Sequence, residues 1–152
     1  MTGDSSNLRE ALDPTHCVSY RLRRAARLAA KSYDAALKTT GLKNTQFTLL
    51  AALATEGAVS IGALSDLLAT DGTTLTRNLE VLVRRGLVKD CASDDARVRT
   101  VQLSKKGRNK YQEALPFWQA AQQQVLTGLG AEQWRELEGV LRQIEDACHS
   151  LE

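Results

Sequence analysis

Residues 73–88, TTLTRNLEVLVRRGLV, predict an amphipathic helix that ends at a glycine. At about 100° per residue, the apolar face is made of three leucines, Leu75, Leu79 and Leu82. The opposite face carries one hydroxyl and two guanidinium groups, those of Thr73, Arg77 and Arg84. Gly86 stands where a terminating glycine belongs, so the stretch predicts a helix that buries leucines and presents hydroxyl and guanidinium groups outward.

The elements on either side of this helix are short. Before it, Ser60 is predicted to cap a brief helix, Val59 to lie in an extended link, and Asp71 or Thr73 to cap the quoted helix. After it, LVKDC and VRTVQLS are strand candidates separated by SDDA as the turn. Two short helices followed by a two-stranded hairpin predict a winged helix-turn-helix, in which the hairpin is the wing.

Longer helices are predicted at both ends of the chain. Residues 17–38 carry apolar residues at steps of three and four, and Gly41 follows as a terminator. Asn44 or Thr45 is predicted to cap the helix before Gly57. Ser104 is predicted to cap a long helix to about residue 127, and a last helix spans roughly 131–149. The fold class is therefore mainly α with a small β-hairpin wing, flanked by amphipathic terminal helices that need a partner, most simply a second copy of the chain.

Composition restricts the class of protein. The 152 residues are 43% hydrophobic and 25% charged, and no apolar run approaches the roughly 20 residues that span a bilayer. The polar N-terminal residues do not resemble a secretory signal, and three widely spaced cysteines do not form a disulfide framework. We therefore expect a cytoplasmic protein without a membrane segment.

Positive charge is concentrated in one part of the chain. Residues 72–110 hold ten Lys or Arg and four Asp or Glu, although the whole chain has a net charge of only +2. A local excess of this size indicates a surface that binds a polyanion.

The outward face of the quoted helix fits the DNA major groove. A helix laid in that groove meets base edges with its N-terminal residues, and arginine binds guanine O6 and N7 bidentately. The face offers Thr73, Arg77 and Arg84, with Thr74 and Asn78 beside them. The alternative is an ordinary solvated polar face. The basic residues of the hairpin and of the next helix favour nucleic-acid binding over that alternative.

At this point the sequence resembles the MarR family of bacterial winged-helix regulators over about residues 17–150. The resemblance is carried by GLKNTQFTLLAAL, by SIGALSDLLATDGTTLTRNLEVLVRRGLV, by DDARVRTVQLSKKG and by ALPFWQAAQ. It implies that Thr73, Thr74, Thr76 and Arg77 contact the major groove and that Arg97 of the wing reaches the minor groove. The family often has adjacent wing arginines, whereas here Arg97 and Arg99 are separated, so either can take that role.

The resemblance also implies a quaternary structure and a function. It implies a homodimer with intertwined terminal helices on a palindromic operator, most commonly a repressor released by a small-molecule effector or by cysteine oxidation. Residues 1–152 would then form one domain. About 45–104 would be the winged-helix DNA-binding lobe, and about 8–40 and 105–150 the helical dimerisation region. No cofactor is implied.

Both histidines adjoin a cysteine near the chain ends. His16 and Cys17 open the first long helix, whereas Cys148 and His149 close the last. Two cysteines and two histidines can bind a soft metal such as zinc, which gives one hypothesis for a signal. A second hypothesis is an oxidisable Cys17. THCVSY resembles the start of the organic-hydroperoxide-sensing branch, although Tyr20 does not follow at that branch's spacing. The third interpretation is that these are structural cysteines, with Cys148 continuing an apolar stripe.

Two other classes compete with a DNA-binding regulator. An enzyme is disfavoured because the sequence has no CxxC, HExxH or glycine-rich phosphate loop. A winged helix used only for protein contacts is disfavoured by the positive charge of residues 72–110, because charged residues are depleted at the centre of protein interfaces.

Overall fold

The computed structural model describes residues 12–92 and 97–150. Its helices are α1 (Val18–Leu37), α2 (Asn44–Glu56), α3 (Ile61–Leu67), α4 (Gly72–Arg84), α5 (Lys105–Leu129) and α6 (Ala131–His149). Its strands are β1 (Val59–Ser60), β2 (Val88–Cys91) and β3 (Thr100–Leu103). The predicted order of the helices and of the two wing strands is confirmed, and α5 runs two residues beyond its predicted end. The turn SDDA, residues 93–96, lies outside the described residues.

The sheet has three strands rather than the predicted two. β3 lies in the middle and pairs antiparallel with β2 and with β1, where Val59 faces Val101. The link predicted to be extended at Val59 is extended, and it also pairs as a third strand, which the sequence analysis did not predict. A two-residue strand is too short to show the alternation that identifies strands, and pairing covers an edge of β3 that a hairpin leaves open.

Three of the predicted helix caps are present. The acceptors are Ser60 Oγ for Ala63 N at 3.1 Å, Asp71 Oδ1 for Thr74 N at 2.9 Å and Ser104 Oγ for Gly107 N at 2.9 Å. Each satisfies an N–H group that has no partner inside its helix. The capping residues therefore fix where α3, α4 and α5 begin.

The start of α2 differs from its prediction. Asn44 is already the first helical residue, so neither Asn44 nor Thr45 is the cap. Instead the backbone N–H of Lys43 donates to Gln46 Oε1 at 3.1 Å, and that of Asn44 donates to Asp34 Oδ1 at 2.6 Å. An acceptor supplied by α1, ten residues earlier, replaces the local cap that the sequence pattern favours.

The hydrophobic core lies in the lobe formed by α2, α3, α4, the sheet and the first half of α5, and the last residue of α1 also contributes to it. Its fully buried leucines and valine are Leu37, Leu50, Leu53, Leu64, Leu75, Leu79, Leu82, Leu87 and Val101. α4 supplies three of them from one face, as the sequence predicts. The core therefore fixes the rotation of α4 about its own axis, and with it the face that α4 presents to solvent.

Four aromatic rings connect this lobe to the terminal helices. Phe47 of α2 packs between Tyr111 and Trp118 of α5, with ring centroids 5.5 and 5.6 Å away, and Trp118 stacks on Tyr33 of α1 at 6.1 Å. Tyr33 Oη also donates to Gln122 Oε1. These contacts are ordinary aromatic packing.

The terminal helices leave apolar surface uncovered. The predicted stripe of α1 is fully buried only at Leu37, whereas Val18 is 57% exposed. α6 packs on α5 and has no buried residue, with Val140 49% and Leu137 39% exposed. Both helices have the amphipathic pattern of packed helices, but their contacts within the described residues cover only part of that apolar surface.

Gly107 allows α5 to begin directly against Leu87, the residue before β2. A Cβ at this position would lie 1.9 Å from the carbonyl oxygen of Leu87, which is backbone and cannot rotate away. We expect Gly107→Ala to lower the free energy of unfolding by about 1–3 kcal/mol or more, because α5 must move away from Leu87.

Urea unfolding at fixed protein concentration measures this effect, and Gly128→Ala is the matched control. Gly128 also lies within α5, but a Cβ there meets no atom within 4 Å. Alanine has the better helix propensity, so the control should be neutral or slightly stabilising. Equal unfolding free energies for the two variants would contradict the steric argument.

Candidate nucleic-acid interface

The outer face of α4 is exposed as the angular arrangement predicts. Leu75, Leu79 and Leu82 are at most 1% exposed, whereas Thr73, Arg77 and Arg84 are solvent-exposed. Thr73 and Arg77 border a shallow depression between α4 and the start of α3. One helix thus combines a buried anchoring face with an accessible hydroxyl and two accessible guanidinium groups.

The flanking candidates differ in accessibility. Thr74 is exposed, whereas Thr76 and Asn78 are half-buried. The side-chain amide of Asn78 donates to the backbone carbonyl oxygen of Thr74 at 3.0 Å, so this donor is already used within the helix. The most accessible members of the predicted α4 set are therefore Thr73, Thr74, Arg77 and Arg84.

Asp71 fixes the first turn of α4. Hydrogen bonds from the Thr74 side chain, and then from the Thr74 backbone N–H, hold the pKa of this carboxyl group below its ordinary value. The carboxylate also has the favourable sign for the positive end of the helix dipole. The residue that caps α4 thereby orients the backbone that carries Thr73 and Thr74.

The lowered pKa of Asp71 predicts a dependence of stability on pH. A carboxyl group whose pKa is lower in the folded state than in the unfolded state stabilises the folded protein at pH values above the unfolded pKa. This contribution is lost as the pH falls through the folded pKa. Asp71→Asn keeps a capping oxygen but does not titrate. We therefore expect the stability advantage of the parent over Asp71→Asn at pH 7 to shrink as the pH falls below about 4. Urea unfolding of the parent and of Asp71→Asn at pH 7 and at pH 3 measures this change. The same difference in unfolding free energy at both pH values would contradict the prediction.

The two adjacent arginines at the end of α4 have different surroundings. Arg84 is exposed and lies 4.0 Å from Glu80, one turn earlier. Arg85 points toward α2, where its guanidinium donates to the carbonyl oxygen of Gly41 at 3.0 Å. Arg85 therefore ties α4 to the loop before α2. Sequence analysis could not separate the two roles, because the partner of Arg85 lies 44 residues away along the chain.

The wing arginines follow the turn outside the described residues. Arg97 and Arg99 are both exposed, and Arg99 Nε donates to Asp90 Oδ1 of β2 at 2.7 Å. This ion pair joins β2 to the residue before β3. Arg97 lies two residues nearer to the turn in the sequence, and both arginines stay candidates for the wing contact.

Part of the predicted positive surface has structural uses. Lys106 Nζ donates to the carbonyl oxygen of Arg85 at 2.8 Å, and Lys110 pairs with Glu113 at 2.9 Å. Lys105 and Arg108 at the start of α5 are exposed. Some lysines and arginines of the segment 72–110 thus form hydrogen bonds or ion pairs within the protein, whereas others face solvent.

The candidate sensing residues lie at the far ends of the terminal helices. His16 and Cys17 precede α1, Tyr20 lies in its first turn, and Cys148 and His149 end α6; all five are exposed. Within the described ranges of one chain, no group of three or more His, Cys, Asp or Glu side chains could hold a metal ion. A site completed by a second copy stays a prediction, as does oxidation of Cys17.

None of the helices in residues 12–92 and 97–150 is long and apolar enough to cross a membrane.

Comparison with known proteins identifies the fold and the class. Residues 40–97 match the model of the MarR family. The HTH-type transcriptional regulator YwoH of Bacillus subtilis is 30% identical over 94 residues, which cover 62% of this chain and 69% of that protein.

Two solved structures extend the similarity over most of the chain. The transcriptional regulator MosR of M. tuberculosis, solved in complex with DNA, is 40% identical with a TM-score of 0.76, and the alignment covers 87% of this chain and 98% of that one. BpsR of Bordetella bronchiseptica is 26% identical with a TM-score of 0.77, over 88% of this chain and 97% of that one. The work on BpsR concerns regulation of its DNA binding by 6-hydroxynicotinic acid.

The buried face of α4, the three-stranded wing and these similarities agree on one assignment, which is to transcriptional regulators rather than to enzymes. The chain belongs to the MarR family of DNA-binding transcriptional regulators.

Proposed function

We propose that this chain is a homodimeric repressor that binds a palindromic operator and leaves it when a small molecule binds or a thiol is oxidised. The exposed stripe of Thr73, Arg77 and Arg84 on α4 is the observation that carries the proposal. In this proposal α4 enters the major groove with Thr73, Thr74, Thr76, Arg77, Asn78 and Arg84. Arg97 or Arg99 of the wing enters the adjacent minor groove. The 40% identity to MosR, which was solved with DNA, supports this orientation.

The proposed dimer uses residues of about 8–40 and 105–150, whereas about 45–104 form the DNA-binding lobe. Its support is the uncovered apolar surface of α1 and α6, including Val18, Leu28 and Val140. Charge also favours contact between these helices of two copies. α1 carries four arginines and one lysine against one aspartate, whereas α6 carries five acidic and two basic residues. Two copies can bury the apolar faces and bring opposite charges together.

The proposed dimer also predicts a symmetric operator. Two recognition helices related by a two-fold axis read two half-sites in successive major grooves, so the preferred DNA is a palindrome. A change in the terminal helices then alters the distance between the two α4 helices. The aromatic contacts of Tyr33, Phe47 and Trp118 join the terminal helices to the lobe that carries α4. Through these contacts, a movement of the terminal helices can change the position of α4.

Titration of labelled DNA from upstream of the chain's own gene, followed by fluorescence anisotropy, tests the proposal. We expect tight binding at two chains per site, a steep decrease with salt, and weak binding to a scrambled duplex. Sedimentation of the free protein should show a dimer. Equal and weak binding to both duplexes, also for fragments selected from genomic DNA, would contradict sequence-specific regulation and favour a protein-interaction module.

The release signal is tested with the same complex. Phenolic acids, peroxides and zinc are added separately to the bound state, and the fraction of free DNA is measured. Cys17→Ser and Cys148→Ser distinguish the hypotheses. Release by peroxide that is lost in either variant supports a thiol signal, whereas release by a phenolic acid in parent and variants alike supports a ligand. A zinc response that needs His16 or His149 would support the metal hypothesis instead.

A further inference from the structure

Glu80 is a carboxylate within the groove-facing stripe of α4. It lies one turn after Arg77 and one turn before Arg84, and the depression between α3 and α4 is bordered by Thr73, Arg77 and Glu80 together. Its side chain is 54% exposed. Glu80 therefore lies on the same exposed side of α4 as Arg77 and Arg84.

A carboxylate at this position needs a physical explanation. A helix in the major groove lies between two rows of phosphates, whose negative potential opposes any carboxylate brought between them. Among the described residues, the one ion pair of Glu80 is the 4.0 Å contact with Arg84, and both side chains are largely exposed. Such an exposed pair is weak, so it does not by itself offset the repulsion.

A base edge can supply the missing partner. The major groove presents the N4 amino group of cytosine as a donor, and glutamate accepts from that group. Where another base faces it, the carboxylate loses water without gaining a donor and stays opposed by the phosphates. The same side chain therefore favours one base pair and penalises the others, which is how specificity is obtained by rejecting wrong sequences.

We propose that Glu80 is a specificity-determining residue of the α4 surface and selects a cytosine in each half-site by accepting from its N4 amino group. This inference rests on the proposed function, since it requires α4 to occupy the major groove. Arg77 and Glu80 then read opposite chemical features, with the arginine donating to guanine and the glutamate accepting from cytosine.

Glu80→Ala is expected to change the two kinds of DNA binding in opposite directions. Binding to a scrambled duplex should strengthen several-fold, because a negative charge is removed from the phosphate field. Binding to the operator should weaken several-fold, so the ratio of the two affinities should fall at least tenfold. In sites selected from random DNA, one cytosine preferred by the parent at symmetric positions should become variable. Glu80→Gln should lose the same preference, since its amide can donate to other bases.

The controls separate the alternatives. Glu56→Gln removes an equal charge from an exposed position at the end of α2 and should leave the ratio unchanged. The proposal would be overturned if Glu80→Ala strengthened binding to both duplexes equally and left the selected sequence unaltered. Glu80 would then act only through its repulsion of the phosphates. The proposal would also be overturned if Arg84→Ala caused the same loss and the double variant lost nothing more, because Glu80 would then act only by positioning Arg84. If the parent itself fails to discriminate between duplexes, the proposed function fails first, before any variant is compared.

Discussion

Leu79→Ala should lower the free energy of unfolding by about 2–5 kcal/mol, the cost of truncating a fully buried leucine. Leu79 is 0% exposed and lies at the centre of the apolar face of α4. Its removal takes dispersion contacts from the core and leaves a cavity that the surrounding helices fill only in part. Because the same face sets the rotation of α4, we also expect weaker operator binding at temperatures where the variant is still folded.

Urea unfolding at equal protein concentrations measures this loss, since the stability of a dimer depends on concentration. Leu79→Met is the matched control, because a change that conserves volume costs less than about 1.5 kcal/mol. If Leu79→Ala were no less stable than Leu79→Met, the position would not be a packed core site. Anisotropy at a temperature well below both transitions then separates the effect on DNA binding from unfolding.

The sequence predicted α4 well because several local signals coincide there. Asp71 is a capping residue, Gly86 adopts the positive φ of 70° that favours glycine, and three leucines repeat at helical spacing between them. These signals act within a few residues of one another, so no knowledge of the rest of the chain is required. The exposed face follows directly, because fixing the buried side of a helix fixes the opposite side too.

Features that depend on distant partners were not predictable in the same way. β1 exists because Val59 meets Val101, and the start of α2 is set by Asp34 of α1. Arg84 and Arg85 are neighbours in sequence, yet only Arg85 meets the carbonyl of Gly41. Periodicity cannot show which of two adjacent arginines finds a tertiary acceptor. The same limit explains the α1 stripe, which has the pattern of a buried face but is largely exposed in one chain.

Arg77→Ala is expected to weaken binding to the operator by about 1–3 kcal/mol, or roughly 5- to 150-fold, if the guanidinium binds one guanine bidentately. Arg77 is exposed on the outer face of α4, and α4 is fixed from below by Leu75, Leu79 and Leu82, so the guanidinium is presented from a rigid base. The protein itself should remain stable, because an exposed arginine contributes little to the core.

The control for Arg77 is lysine, which keeps the charge but not the planar fork of donors. Arg77→Lys should retain the decrease of affinity with salt and most binding to scrambled DNA, while losing discrimination at one guanine in each half-site. Arg77→Ala should lose this discrimination and should also bind scrambled DNA more weakly. Its affinity should decrease less steeply with salt, with a slope about one unit shallower per subunit. Arg97→Ala offers a contrast, because a wing contact should weaken binding across many sequences without altering the preferred bases. If Arg77→Ala bound the operator as tightly as the parent, Arg77 would not be a reading residue, and the recognition surface would have to lie on the Thr74 and Asn78 side of α4.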